Sequence, residues 1–132
     1  MPRILVIDDE PLIRATVVTI LTREGFSVEE ASDGATGIAM FRKNPPDLVI
    51  TDVFMPNRDG IEVVMELKRS YPHIKIIAMT GGGRMRMMEI GSAANILGAD
   101  HMLHKPFERE SLLAAVSAAL GTPPPPRSQH GA

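Results

Sequence analysis

Leu48-Val49-Ile50-Thr51-Asp52-Val53-Phe54-Met55-Pro56 is a run of apolar residues that closes on an acid. Leu48, Val49 and Ile50, two of them β-branched, predict a strand buried on both faces. Asp52 then interrupts the apolar run, and Met55-Pro56 stops it a few residues later. In an open parallel α/β sheet, ligands bind outside the carboxyl ends of the strands. An acid at that point faces a crevice rather than the core. Aspartate also ends strands simply because it suits turns, so the other strand ends have to decide between the two readings.

On the N-terminal side, Arg3 to Ile7 predicts a first buried strand, ending in Asp8-Asp9-Glu10-Pro11. Asp9 or Glu10 can cap the helix that follows, and Pro11 suits its first turn, where a missing N–H costs nothing. Ile13, Val17, Ile20 and Leu21 share one helical face, and Gly25 closes the helix. Ser27 to Ala31 is a weaker strand, and its adjacent Glu29 and Glu30 fit a sheet edge. Asp33-Gly34 opens a second helix running to about Lys43, which Asn44-Pro45-Pro46 ends.

On the C-terminal side, Asn57-Arg58-Asp59-Gly60 is a turn and Ile61 to Tyr71 a third helix. Pro72 stops it. Ile74 to Met79 is a fourth strand ending in Thr80, followed by Gly81-Gly82-Gly83 and a helix from about Met85 to Leu97. Asp100 to His104 is a short fifth strand, and Lys105-Pro106-Phe107 leads into a last helix, Glu108 to Leu120. Five predicted strands alternate with five predicted helices. Parallel strands joined by right-handed helical crossovers are the common way to pack that alternation. The expectation is one α/β domain over residues 1–120. Residues 121–132, with four consecutive prolines from Pro123 to Pro126, form a proline-rich extension expected to be disordered.

Composition narrows the function. The 132 residues carry a net charge of −2, so no bulk attraction to nucleic acid or an anionic membrane is expected. The absence of cysteine excludes disulfides and thiolate chemistry. No apolar run approaches a membrane span, and the first strand begins at once in place of a signal peptide. A cytoplasmic protein is expected.

The strand ends together carry Asp8-Asp9, Asp52, Thr80 and Lys105. Three carboxylates on one rim repel one another and stay ionised together only around a cation. Oxygen ligands without His or Cys suit Mg²⁺. Lys105 adds a mobile positive charge and Thr80 a hydroxyl. Metal, ammonium and hydroxyl would hold the oxygens of a phosphoryl group, with a carboxylate as its nucleophile. His101 and His104, three apart on a strand, point to opposite faces and are read as structural or solvent-facing.

The ordered set Val6-Ile7-Asp8-Asp9-Glu10-Pro11, Asp52 with Met55-Pro56 and Asp59-Gly60, Thr80, Gly98-Ala99-Asp100 and Lys105-Pro106-Phe107 resembles the receiver domain of two-component response regulators. The resemblance covers residues 1 to about 120. It implies a doubly wound, flavodoxin-like parallel sheet of order 2-1-3-4-5 with helices on both faces. It implies that Asp52 accepts a phosphoryl group from a sensor histidine kinase or a histidine phosphotransfer protein, with Thr80 and Lys105 binding that group. It implies Mg²⁺ held by Asp9, Asp52 and the backbone carbonyl of Phe54, with Asp8 acting through water. The Lys105–Pro106 bond is commonly cis in such domains. The expected activity is that of a signalling domain, not an enzyme beyond its own phosphorylation and dephosphorylation.

Two features depart from the pattern. The family's switch aromatic sits three residues before the lysine, where this chain has Met102. The glycine run after Thr80 is unusual and resembles that of a subgroup of stand-alone receivers. A phosphate-cradling loop is excluded there because no lysine and hydroxyl follow the glycines. A dehalogenase-like nucleophile loop is excluded because Asp8-Asp9-Glu10-Pro11 lacks the Asp-x-Asp spacing. The expectation is a single-domain, phosphorylation-switched module that binds a downstream protein or relays or sinks phosphate, with no nucleic-acid or membrane partner. The alternative is an adaptor of the same fold that signals by contact without phosphate.

Overall fold

Every residue of Leu48–Asp52 is buried, as a strand with neighbours on both edges and helices on both faces requires. The computed structural model describes residues 2–53, 60–81 and 98–121. Its strands are β1 (Arg3–Ile7), β2 (Ser27–Ala31), β3 (Leu48–Asp52), β4 (Lys75–Gly81) and β5 (His101–Lys105). Its helices are α1 (Pro11–Arg23), α2 (Gly34–Lys43), α3 (Gly60–Ser70) and α4 (Arg109–Leu120). The strands are all parallel, in the order β2-β1-β3-β4-β5. The doubly wound sheet expected from the sequence is present. The expected helix from Met85 to Leu97, Gly82 onward of the glycine run, residues 54–59 and the extension after Gly121 lie outside the described residues.

Successive strand residues point to opposite faces, so the sheet feeds two cores. Leu5, Ile7, Val49, Ile76 and Ala78 meet Ile38 and Phe41 of α2 and Val63, Val64 and Leu67 of α3. Ile4, Val6, Leu48, Ile50, Ile77 and Met79 meet Val17 and Leu21 of α1 and Leu112, Leu113, Val116 and Ala119 of α4. The central strands are apolar on both sides because both faces are covered. Edge strand β2 exposes Ser27, Glu29 and Glu30, as its composition predicts.

Strands β4 and β5 both shift from their expected bounds. β4 runs on through Thr80 to Gly81 because its pairing with β5 continues, Thr80 opposite His104 and Gly81 opposite Lys105. Thr80 is therefore inside the sheet, not just past its end. β5 begins at His101 because the Asp100 carboxylate takes the Ile76 N–H at 2.8 Å, and the Asp100 N–H donates to the Ile76 carbonyl at 2.8 Å. Lys68 of α3 also donates to that carboxylate at 3.2 Å. Asp100 is thus a clasp between the starts of β4 and β5.

Candidate functional site

The site is built where β1, β3, β4 and β5 end. β1 delivers Asp8, whose side chain is fully buried, and β3 delivers Asp52, which is 5% exposed. Parallel pairing sets Ile7 beside Thr51, so the two carboxylates emerge side by side. β5 delivers Lys105 from the far side of β4. Its ammonium lies 3.1 Å from Asp8 Oδ2, 3.4 Å from Asp52 Oδ2 and 3.0 Å from Glu10 Oε1. The Lys105–Pro106 peptide bond is cis, as the resemblance implied.

Backbone contacts fix these groups. The Glu10 N–H donates to Asp8 Oδ1 at 2.9 Å. Arg14 of α1 donates to the Asp8 carbonyl at 2.7 Å and to Glu30 at 2.9 Å, tying the end of β1 to edge strand β2. Thr51 donates its hydroxyl to the Asp52 carbonyl at 3.1 Å. α3 then closes on the same carbonyl: a Cβ on Gly60 would lie 1.9 Å from Asp52 O and 2.6 Å from Val53 Cα. Only glycine permits that approach. The Gly60 N–H donates to the Val53 carbonyl at 2.9 Å.

Burial dominates the electrostatics at Asp8. It lifts the carboxyl above its ordinary pKa, although the Glu10 N–H and the Lys105 ammonium pull the other way. Burial likewise works against the charge on Lys105. Asp52 and Asp8, helped by hydrogen bonds to Glu10 and Asp8, more than compensate and raise its pKa. Lys105 therefore stays a full cation at neutral pH.

Glu10 is the first surprise. It occupies the N-cap position of α1 but makes no side-chain cap hydrogen bond; its carboxylate reaches Lys105 instead. Asp8, Glu10 and Asp52 each place a carboxylate oxygen within 4.8 Å of the others. Asp9, half-buried, lies outside that group, and Phe54 lies outside the described residues. An all-oxygen donor set of converging carboxylates fits a hard divalent ion such as Mg²⁺.

His104 is the second. Thr80 is fully buried, and its Oγ1 lies 2.8 Å from His104 Nδ1. His104, expected to be structural or solvent-facing, is exposed, yet one of its ring nitrogens holds the Thr80 hydroxyl. Met102, at the position of the family's aromatic, is half-buried against the core on the α2–α3 side. Among the described residues, no helix is long and apolar enough to cross a membrane.

Comparison with known proteins gives a consistent result. The family model of the response regulator receiver domain matches residues 4–117. The response regulator MprA of Mycobacterium sp. (strain KMS) is 38% identical over 118 residues, covering 89% of this chain and 50% of the relative. MprA of Mycobacterium leprae (strain TN) is 36% identical with the same coverage. The chain spans about half the length of the curated relatives it matches. Among solved structures, the receiver domain of NtrX from Brucella abortus superposes with a TM-score of 0.84 at 31% identity, covering 91% of this chain and 99% of that one. The chemotaxis protein CheY4 of Vibrio cholerae gives a TM-score of 0.80 at 33% identity, covering 91% and 99%. With an acidic cluster, a lysine and a threonine at the strand ends of this fold, the chain belongs to the response regulator receiver domain family.

Proposed function

We propose that this domain is switched by phosphorylation of Asp52, with a sensor histidine kinase or a histidine phosphotransfer protein as donor. The observation that carries the reading is the Lys105 ammonium placed 3.1 Å from the buried Asp8 and 3.4 Å from the buried Asp52. An Asp52 oxygen forms the new P–O bond as the P–N bond to the donor imidazole breaks, and the leaving nitrogen keeps the electron pair. Lys105 is already positioned to follow the charge as it moves onto the phosphoryl oxygens. Thr80 offers them a hydroxyl from the next strand, and Gly60 and Thr51 hold the Asp52 backbone while this happens.

Asp9, Asp52 and the Phe54 carbonyl would hold Mg²⁺, with Asp8 acting through water, and the ion would supply charge neutralisation for the transfer. The convergence of Asp8, Glu10 and Asp52 supports a divalent ion at this rim. On this reading the domain catalyses only its own phosphorylation and dephosphorylation, acts in the cytoplasm, and changes its affinity for a downstream protein or passes phosphate on. We take residues 1–120 as the functional unit and the remainder as an appendage.

Incubation with acetyl phosphate or phosphoramidate, with and without Mg²⁺, tests the proposal. Wild-type protein becomes labelled only with the metal. Asp52→Asn, nearly isosteric but without an anionic nucleophile, does not become labelled. Labelling of that variant would move the nucleophile elsewhere.

A further inference from the structure

We propose that His104 is a positioning residue for the switch: it holds the Thr80 hydroxyl while Asp52 is unmodified and gives it up to the phosphoryl group. The inference rests on the reading of Asp52 as phosphoacceptor and goes beyond it by naming the resting partner of Thr80.

A fully buried hydroxyl without a partner is costly, so Thr80 must be satisfied in the resting state. Its partner is His104 Nδ1, 2.8 Å away. The bond follows from register, because Thr80 and His104 are opposed across the parallel β4–β5 ladder and their side chains leave the sheet on the same face. When Thr80 donates, Nδ1 is the acceptor and the ring proton sits on Nε2. The hydroxyl has one proton. While donated to Nδ1 it cannot also serve a phosphoryl oxygen, so with the ring proton on Nε2 phosphorylation and the Thr80–His104 bond compete. An anionic oxygen is the stronger acceptor, and the exchange runs toward the phosphoryl group. The imidazole that is released belongs to an exposed residue on β5, where a protein partner can read the change.

The test uses beryllofluoride with Mg²⁺ as the phosphoryl mimic and ¹⁵N NMR of the histidine rings, with bound ¹⁹F signals reporting occupancy. Thr80→Val supplies the ring shifts of a His104 that has lost its partner. In wild-type protein, saturation should move the His104 Nδ1 resonance to the Thr80→Val value. His104→Ala removes the competing acceptor and should bind beryllofluoride about 2- to 10-fold more tightly, the range that one net hydrogen bond spans. His104→Asn, whose Oδ1 stands where Nδ1 stood, should return the affinity toward wild type. A merely structural histidine would not give that rescue or that nitrogen shift. Bound ¹⁹F signals with an unmoved Nδ1 resonance, or weaker binding by His104→Ala, would overturn the inference and leave Asp52 as acceptor. No bound ¹⁹F signal at all would overturn both.

Discussion

Replacing Lys105 by methionine keeps most of the side chain's length and removes its charge. The Lys105 side chain is 12% exposed, and its ammonium faces Asp8 at 3.1 Å and Asp52 at 3.4 Å. At an effective dielectric constant of about 20, each pair is worth roughly 5 kcal/mol of Coulomb attraction. Desolvation of the ions cancels several kcal/mol of that for each charge. The third contact, to the largely exposed Glu10, adds at most about 1 kcal/mol. Removing one partner of a buried pair costs about 3–5 kcal/mol, because the remaining charge stays buried and unpaired. Two carboxylates are left here, so the upper half of that range is expected at neutral pH without divalent ions. For a domain of this size that lowers the melting temperature by roughly 10–20 °C. The loss should shrink in acid, where Asp8 takes up a proton, and Mg²⁺ should restore more stability to the variant than to wild type through preferential binding to the folded state. Thermal unfolding by circular dichroism at several pH values, with and without Mg²⁺, measures all three. A variant within about 1 kcal/mol of wild type at neutral pH would show that Lys105 does not neutralise this pocket.

Gly60→Ala should cost about 1–3 kcal/mol by overpacking against the Asp52 carbonyl. It should also slow phosphoramidate labelling at least tenfold; an unchanged rate would mean that α3 does not set the position of the acid. Asp8 has a raised carboxyl pKa in the folded state, so the folded protein binds its proton more readily than the unfolded chain. Its contribution is therefore largest in acid and is lost as pH rises from the unfolded value of about 3.9 through the folded one. The stability of Asp8→Asn relative to wild type, from urea unfolding without Mg²⁺, should improve over that rise; a constant gap would refute the assignment. Cutting Phe41, buried with its ring centroid 4.5 Å from that of Tyr71 and tilted 50° to it, to alanine should cost about 3–5 kcal/mol. A loss under about 1 kcal/mol would place the aromatic pair outside the core.

The parts of this molecule legible in its sequence are those controlled by local chemistry. Apolar runs ending in acids located β1 and β3, and Asp33 does cap α2, accepting the Thr36 N–H at 2.8 Å. Alternation of strands and helices was enough for a parallel sheet. What sequence did not show depends on register and long-range competition. Nothing local tells whether a Glu at an N-cap will cap or leave; Glu10 leaves because Lys105, distant in sequence, offers a buried cation at 3.0 Å. The link between Thr80 and His104 was hidden for a related reason. Aligning β4 and β5 so that Gly81 opposes Lys105 puts His104 beside Thr80, but neither strand specifies that alignment alone. The strand ends showed which residues reach the rim, and the pairing showed which of them touch.

Both groups that would bind the oxygens of a phosphoryl group on Asp52 are held by partners within the chain: Lys105 by three carboxylates, Thr80 by His104. Phosphorylation is then an exchange of partners, and only the difference in strength can move the fold. Reversing a two-state population from 1:99 to 99:1 takes about 5.5 kcal/mol of differential free energy. A hydrogen bond to a charged group contributes about 1.5–3 kcal/mol, so Thr80 and Lys105 together would provide roughly 3–6 kcal/mol before the broken bonds are subtracted. That subtraction takes at least the ordinary hydrogen bond to His104, about 1 kcal/mol, and part of the attraction to Asp8 and Glu10. Those two contacts alone fall short of a complete switch. On the proposed reading the remainder has to come from the metal or from packing around Met102, which is flexible enough to occupy either of two positions. An incomplete population shift on beryllofluoride binding is therefore the expected behaviour of this domain by itself, with the partner protein completing the change on contact.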